Sequence, residues 1–122
     1  MTRARRGQRG QATVEMALVL PVLILGILIV LQILLVARDA ASLTAATRAA
    51  ARAAMVDDDP VEAALHERHL DRSRLRVEVS GTAAAGELIT VSATYRSPTG
   101  LAVVGRFVGD VTLTERFTVR KE

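Results

Sequence analysis

The stretch Met16–Ala37, MALVLPVLILGILIVLQILLVA, decides the fold. It runs for 22 residues without an ionisable side chain, and Gln32 is its one strongly polar residue. As an α-helix rising ~1.5 Å per residue it is ~33 Å long, enough to cross a hydrocarbon core of ~30 Å. Such a run does not form the core of a small soluble domain, so only the rest of the 122 residues is available for one. Pro21 and Gly26 lie inside it. Pro21 lacks an N–H and crowds the carbonyl four residues earlier, which predicts a bend near Ala17–Pro21. Membrane helices tolerate this because neighbouring groups re-satisfy the backbone.

On the N-terminal side, Arg3, Arg5, Arg6 and Arg9 put four positive charges and no acid into the first ten residues. The rest of the chain carries twelve basic and thirteen acidic residues, so the net charge of +3 comes from this leader. Cytoplasmic flanks of membrane spans are enriched in Lys and Arg. The four arginines therefore read as a topology signal, with the N-terminus cytoplasmic and the C-terminus outside a cell (inner) membrane. A nucleic-acid binder would carry its basic patch on the folded domain, so no nucleic-acid partner is expected. Cysteine is absent, which removes disulfide and thiolate chemistry.

Between leader and span lies Gly10-Gln11-Ala12-Thr13-Val14-Glu15. A glycine, four residues, a glutamate and then a membrane span is the processing signature of type IV prepilins. The register is specific, because a cut after Gly7 would put Ala12, not an acid, in the fifth place. Glycine lets a peptidase approach the backbone closely. The cut frees an α-amine on Gln11. Glu15, one helical turn further, is then a carboxylate at the apolar edge of the helix, where an unpaired ionised group is costly. The positive end of its own helix compensates part of that cost. A neighbouring subunit's new α-amine would complete it and set the stagger between subunits. Glu15 as an interfacial carboxylate that snorkels to the headgroups and Gly10 as a flexible juxtamembrane residue are the plainer alternatives; an ordinary secretory signal is a further one, but its apolar core is only about 7–15 residues long.

On the C-terminal side, residues 11–56 read as one long helix, apolar and then Ala-rich, with no Gly or Pro between Leu31 and Val56. Asp57-Asp58-Asp59-Pro60 ends it, since proline pushes Asp59 out of helical geometry and Asp is a good cap for a second helix. Val61–Leu70 reads as that second, short helix. Three strands come after it by alternation: Leu75, Val77 and Val79 against Arg76, Glu78 and Ser80; Leu88–Tyr95; and Val111–Arg120, where Glu115 interrupts the apolar face. Gly81–Gly86 is a loop. Ser97–Asp110 is an unusually apolar loop that either covers the sheet or offers a contact surface. The fold class is α+β: a long N-terminal transmembrane helix, a short helix and a small antiparallel sheet of about three strands. The organisation is a leader at 1–10, a helix at 11–56 that spans at 16–37, and an extracytoplasmic domain at 57–122.

Other constellations are weak. His66 and His69 sit three apart on a polar helix, where surface histidines are far commoner than metal ligands. Asp57-Asp58-Asp59 lacks the spacing and glycine of a calcium loop. No catalytic arrangement, metal or cofactor is expected, and an enzyme is not.

Arg9-Gly10-Gln11-Ala12-Thr13-Val14-Glu15 followed by Met16-Ala17-Leu18-Val19-Leu20-Pro21 resembles the N-terminus of TadE-like proteins. Ala37-Arg38-Asp39-Ala40-Ala41 and Thr47-Arg48-Ala49-Ala50-Ala51-Arg52-Ala53 are similar to the end of that family's long helix. Met16 departs from the family, many of whose members carry an aromatic residue there. The resemblance implies a minor pseudopilin of a tight-adherence (Flp-type) pilus, cut between Gly10 and Gln11. It implies a prepilin peptidase, other pilins and pseudopilins, membrane platform proteins and the lipid bilayer as partners. The alternative is a membrane-anchored assembly or scaffold factor of the same system that never enters a filament.

Overall fold

A computed structural model describes residues 5–66, 69–81, 84–100, 105–106 and 109–121, with backbone only for 5–9. Its elements in chain order are α1 (Arg5–Met55), α2 (Pro60–Leu65), a 3-10 turn (Arg72–Arg74), β1 (Leu75–Ser80), β2 (Leu88–Ser97) and β3 (Val111–Arg120). The long apolar helix, the short helix and the three-stranded antiparallel sheet form the α+β arrangement expected from the sequence.

α1 has 51 residues and continues through Pro21. At ~1.5 Å per residue it is ~77 Å long. It already includes Arg5, ahead of the expected residue 11, because nothing in Arg-Arg-Gly-Gln-Arg-Gly stops a helix that the apolar run sustains. A glycine in a helix costs about 1 kcal/mol and does not end it. The helix ends at the aspartates by three local devices. Asp57 adopts a left-handed conformation with φ 60°. Asp58 N–H donates to the carbonyl of Ala53. Asp59 caps α2, accepting from the N–H groups of Val61 (2.8 Å) and Glu62 (3.3 Å), with Pro60 at the first turn. α2 stops at Leu65, five residues short of the expected Leu70. Asp71 instead caps the 3-10 turn and leads the chain into β1.

The sheet order is β1-β2-β3, antiparallel throughout. β2 is central, and its inward row Ile89, Val91, Ala93, Tyr95 and Ser97 is buried. That row packs on the second half of α1. Ala46, Ala50, Ala51 and Ala54 meet Ile89 and Val91, while Leu43 meets Ala93 and Tyr95. Alanine allows the helix backbone close to the sheet at no side-chain entropy cost. Leu75, Val77, Leu113, Phe117 and Val119 close the flanks.

Glu115 breaks the apolar pattern of β3 because it faces α1, where the Thr44 hydroxyl donates to its Oε1 at 3.3 Å. Gly81 is required by the turn after β1: its φ is 131°, and a Cβ there would lie 2.6 Å from the Leu88 carbonyl oxygen. The apolar part of the Ser97–Asp110 loop, residues 101–104 and 107–108, lies outside the described residues.

Candidate assembly site on the first helix

Everything that points to a site on α1 begins with how the helix meets its surroundings. Its most apolar stretch has a mean hydropathy of 3.1 and is only 6% buried within the chain. A helix that served as the core of a soluble domain would be mostly buried. Here large side chains from Val14 to Leu35 stand open on the helix surface, Leu18 and Val22 at 70%. In water such a surface is a large unfavourable area; in lipid or against other apolar helices it is not. This helix is a candidate membrane span and is consistent with membrane anchoring.

At its N-terminal edge the Gln11 side-chain amide donates to Glu15 Oε1 at 3.1 Å, an exposed pair one turn apart. Because α1 already includes Arg5, Glu15 lies at least ten residues into the helix of the uncut chain. The helix dipole acts within the first turn or so. The compensation expected from the positive end of its own helix therefore does not reach Glu15 while residues 5–10 are attached, and the Gln11 amide is its partner instead. Gly10 is helical, and a Cβ built on it meets nothing within 4 Å. The fold itself has no need for a glycine there. Of the topology signal, Arg5, Arg6 and Arg9 lie on the helical backbone, and Arg3 is outside the described residues.

Gln32 behaves unlike its neighbours. It is 7% exposed in the middle of an open helix, and its Oε1 and Nε2 are buried with no hydrogen-bond partner among the described residues. It lines an apolar cavity with Ile29, Ile33, Val36, Ala37 and Val111, so the start of β3 lies beside the end of the span.

Residues 10–52 match the family described as TadE-like protein. The TadE-like segment starts at Gly10, covers Glu15 and the whole apolar surface, and stops within the alanines that pack on the sheet. It is the resemblance expected from the sequence, and it supports a pilus-associated protein of the tight-adherence type. The domain beyond the TadE-like segment falls outside the matched residues. No curated protein and no solved structure matched the chain.

The histidines do other work. Arg38 Nη2 lies 2.8 Å from His69 Nδ1, and His66 Nδ1 is 2.9 Å from the carbonyl of Glu62. Each ring is engaged within the chain, and among the described residues no cluster of His, Cys, Asp or Glu could hold a metal.

Sequence reasoning missed the polar contacts that fasten the domain to the helix. Ser97 Oγ donates to Asp39 Oδ2 at 2.6 Å, Arg48 lies over the Phe117 ring at 5.4 Å, and Lys121 pairs with Asp57. The Lys121 side chain is 9% exposed and that of Asp57 77%, so the lysine is the member of the pair that loses water. Each contact joins residues far apart in sequence, and no local pattern announces it. A cleft on the outer face of the sheet, lined by Arg74, Arg76 and Arg96, was also missed. Strand alternation contains the signal for it, since residues two apart share a face.

Proposed function

We propose that this chain is a minor pseudopilin, a structural subunit of a tight-adherence (Flp-type) pilus, cut by a prepilin peptidase between Gly10 and Gln11. It acts without catalysis, cofactor or nucleic acid. The observation that carries the reading is the register of Gly10 and Glu15 at the edge of an exposed apolar helix. The glycine is not required by the fold, which is what a requirement set by a peptidase would leave behind. After the cut Glu15 becomes the fifth residue of a helix that starts at Gln11, near its positive end. The Gln11 amide sits on one carboxylate oxygen. A neighbour's α-amine would take the other, joining pilins through their first helical turn.

The decisive experiment is N-terminal sequencing and intact mass of the protein extracted from its native membrane. The expected first residue is Gln11, and Gly10→Ala slows the appearance of that form while a bulky residue blocks it. A mature chain that still starts near Met1, or that starts around Ala41, overturns the reading.

One observation favours the second reading, a membrane-anchored assembly or scaffold factor. Glu15 already has a partner within its own chain, so the uncut helix can hold the carboxylate without a neighbour. Under that reading the protein is absent from sheared surface filaments and remains in the membrane fraction.

A further inference from the structure

The outward residues of the sheet alternate with the buried row; most are Ser or Thr, and the charged ones are mainly basic. Arg76 on β1, Arg96 on β2, and Arg116 and Arg120 on β3 share this face, with Glu78 as the acid among them. The two ends of the face differ. At one end Arg74, Arg76 and Arg96 line a cleft of about 310 Å³ together with the hydroxyls of Thr94 and Thr112 and the carboxylate of Asp110. Asp110 lies 3.7 Å from Arg74 Nη1. Among the described residues Arg76 and Arg96 form no ion pair. Arg74 Nε also lies 3.8 Å from Asp71 Oδ2, so Arg76 and Arg96 are the guanidinium groups left to a ligand, around donors that suit a tetrahedral oxyanion.

That end of the sheet is fixed beside the end of the apolar span. Ser97, next to Arg96, donates to Asp39, two residues past Ala37. Val111, next to Thr112, shares a cavity with Ile29, Ile33 and Ala37. If Met16–Ala37 crosses a bilayer, the cleft lies at the level of the lipid headgroups. Arg116 and Arg120 lie farther along β3, four and eight residues beyond Thr112. At ~3.3 Å per residue that is ~13 and ~26 Å, beyond a Debye length of ~8 Å at physiological salt.

We propose that the Arg74–Arg76–Arg96 cleft binds the phosphate of an anionic phospholipid headgroup and holds the domain against the membrane surface. This rests on the membrane-anchor reading of α1. It does not depend on processing at Gly10. Each basic side chain near an anionic surface strengthens attraction by roughly fivefold, so Arg76 and Arg96 together give about 25-fold and all three arginines about a hundredfold.

The test reconstitutes the full chain into nanodiscs of mixed phosphatidylglycerol and phosphatidylcholine and measures, by native mass spectrometry, which lipid it retains. Wild type keeps phosphatidylglycerol in preference. Arg74→Gln/Arg76→Gln/Arg96→Gln lowers that preference about a hundredfold. Arg116→Gln/Arg120→Gln removes two charges from the same face and leaves it unchanged. Arg76→Gln/Arg96→Gln breaks no ion pair of the fold and must shift in the same direction, so misfolding of the triple variant cannot stand in for the effect. No preference in wild type, or an equal loss in the distal variant, overturns the proposal. So does abolition by millimolar inorganic phosphate, which would mark a soluble-phosphate site. Failure of the chain to enter nanodiscs at all refutes the anchor reading instead.

Discussion

At the scale of single residues, Glu15 carries the strongest expectation. Glu15→Ala or Glu15→Gln should leave cleavage and membrane insertion intact, since the peptidase acts around Gly10 and losing a charge eases residence in lipid. Assembly should fail, because a neighbour's α-amine drawn into apolar surroundings would have no counter-charge. Leaving one member of a buried pair alone costs ~3–5 kcal/mol, at least a hundredfold in association. Co-purification of the processed variant with pilin partners reads this, and Glu15→Asp should fall between. Recovery of Glu15→Ala at the wild-type level would move the scaffold reading ahead. Asp71 gives a second residue-level expectation. The Ser73 hydroxyl donates to its carboxylate at 2.8 Å and the Ser73 N–H at 2.9 Å, and Arg74 adds a positive charge 3.8 Å away. Together they hold the carboxyl below its usual value of 3.8. A lowered folded-state value means that the stabilisation is present above the unfolded value and is lost as pH falls through the folded one. Thermal melts should therefore show wild type ahead of Asp71→Ala at neutral pH, with the gap narrowing once the pH drops below about 4.

At the scale of elements, the helix–sheet contact is set by small residues. Ala50 is fully buried against β2. Ala50→Leu adds volume to a packed contact and should cost about 1–3 kcal/mol in urea unfolding, whereas the same change at exposed Ala45 should cost little. Much of this level was legible in the sequence. Strand alternation located Leu75–Ser80, Leu88 onward and Val111–Arg120, because a two-residue period against a one-sided core leaves a clear mark. The extent of α2 was not legible: Val61–Leu70 has helical composition, but the Asp71 cap and the 3-10 turn take over its end. The alanines read only as good helix formers. That they are also the floor of the sheet comes from long-range packing, which has no local signature. The same holds for Glu115, an irregularity in β3 until Thr44 is seen opposite it.

At the scale of the whole molecule, the four leader arginines predict the C-terminal domain outside the cytoplasm. A reporter active only outside should work when fused after Glu122, and activity of a cytoplasmic reporter alone would reverse the topology. The candidate site that the sequence proposes is the one written in consecutive residues, Gly10 to Glu15. The basic cleft was not legible there, because Arg74, Arg76 and Arg96 become neighbours only when β1 pairs with β2 at Arg76 and Thr94. One further property belongs to the molecule as a machine part. The contacts from Ser97 to Asp39, Glu115 to Thr44, Phe117 to Arg48 and Lys121 to Asp57 succeed one another in the same direction along α1 and the sheet. From residue 39 to 57 they are spread over ~27 Å of axis. A tug on the helix from within the membrane therefore strains these ties in shear, all sharing the force. It does not peel them apart one at a time.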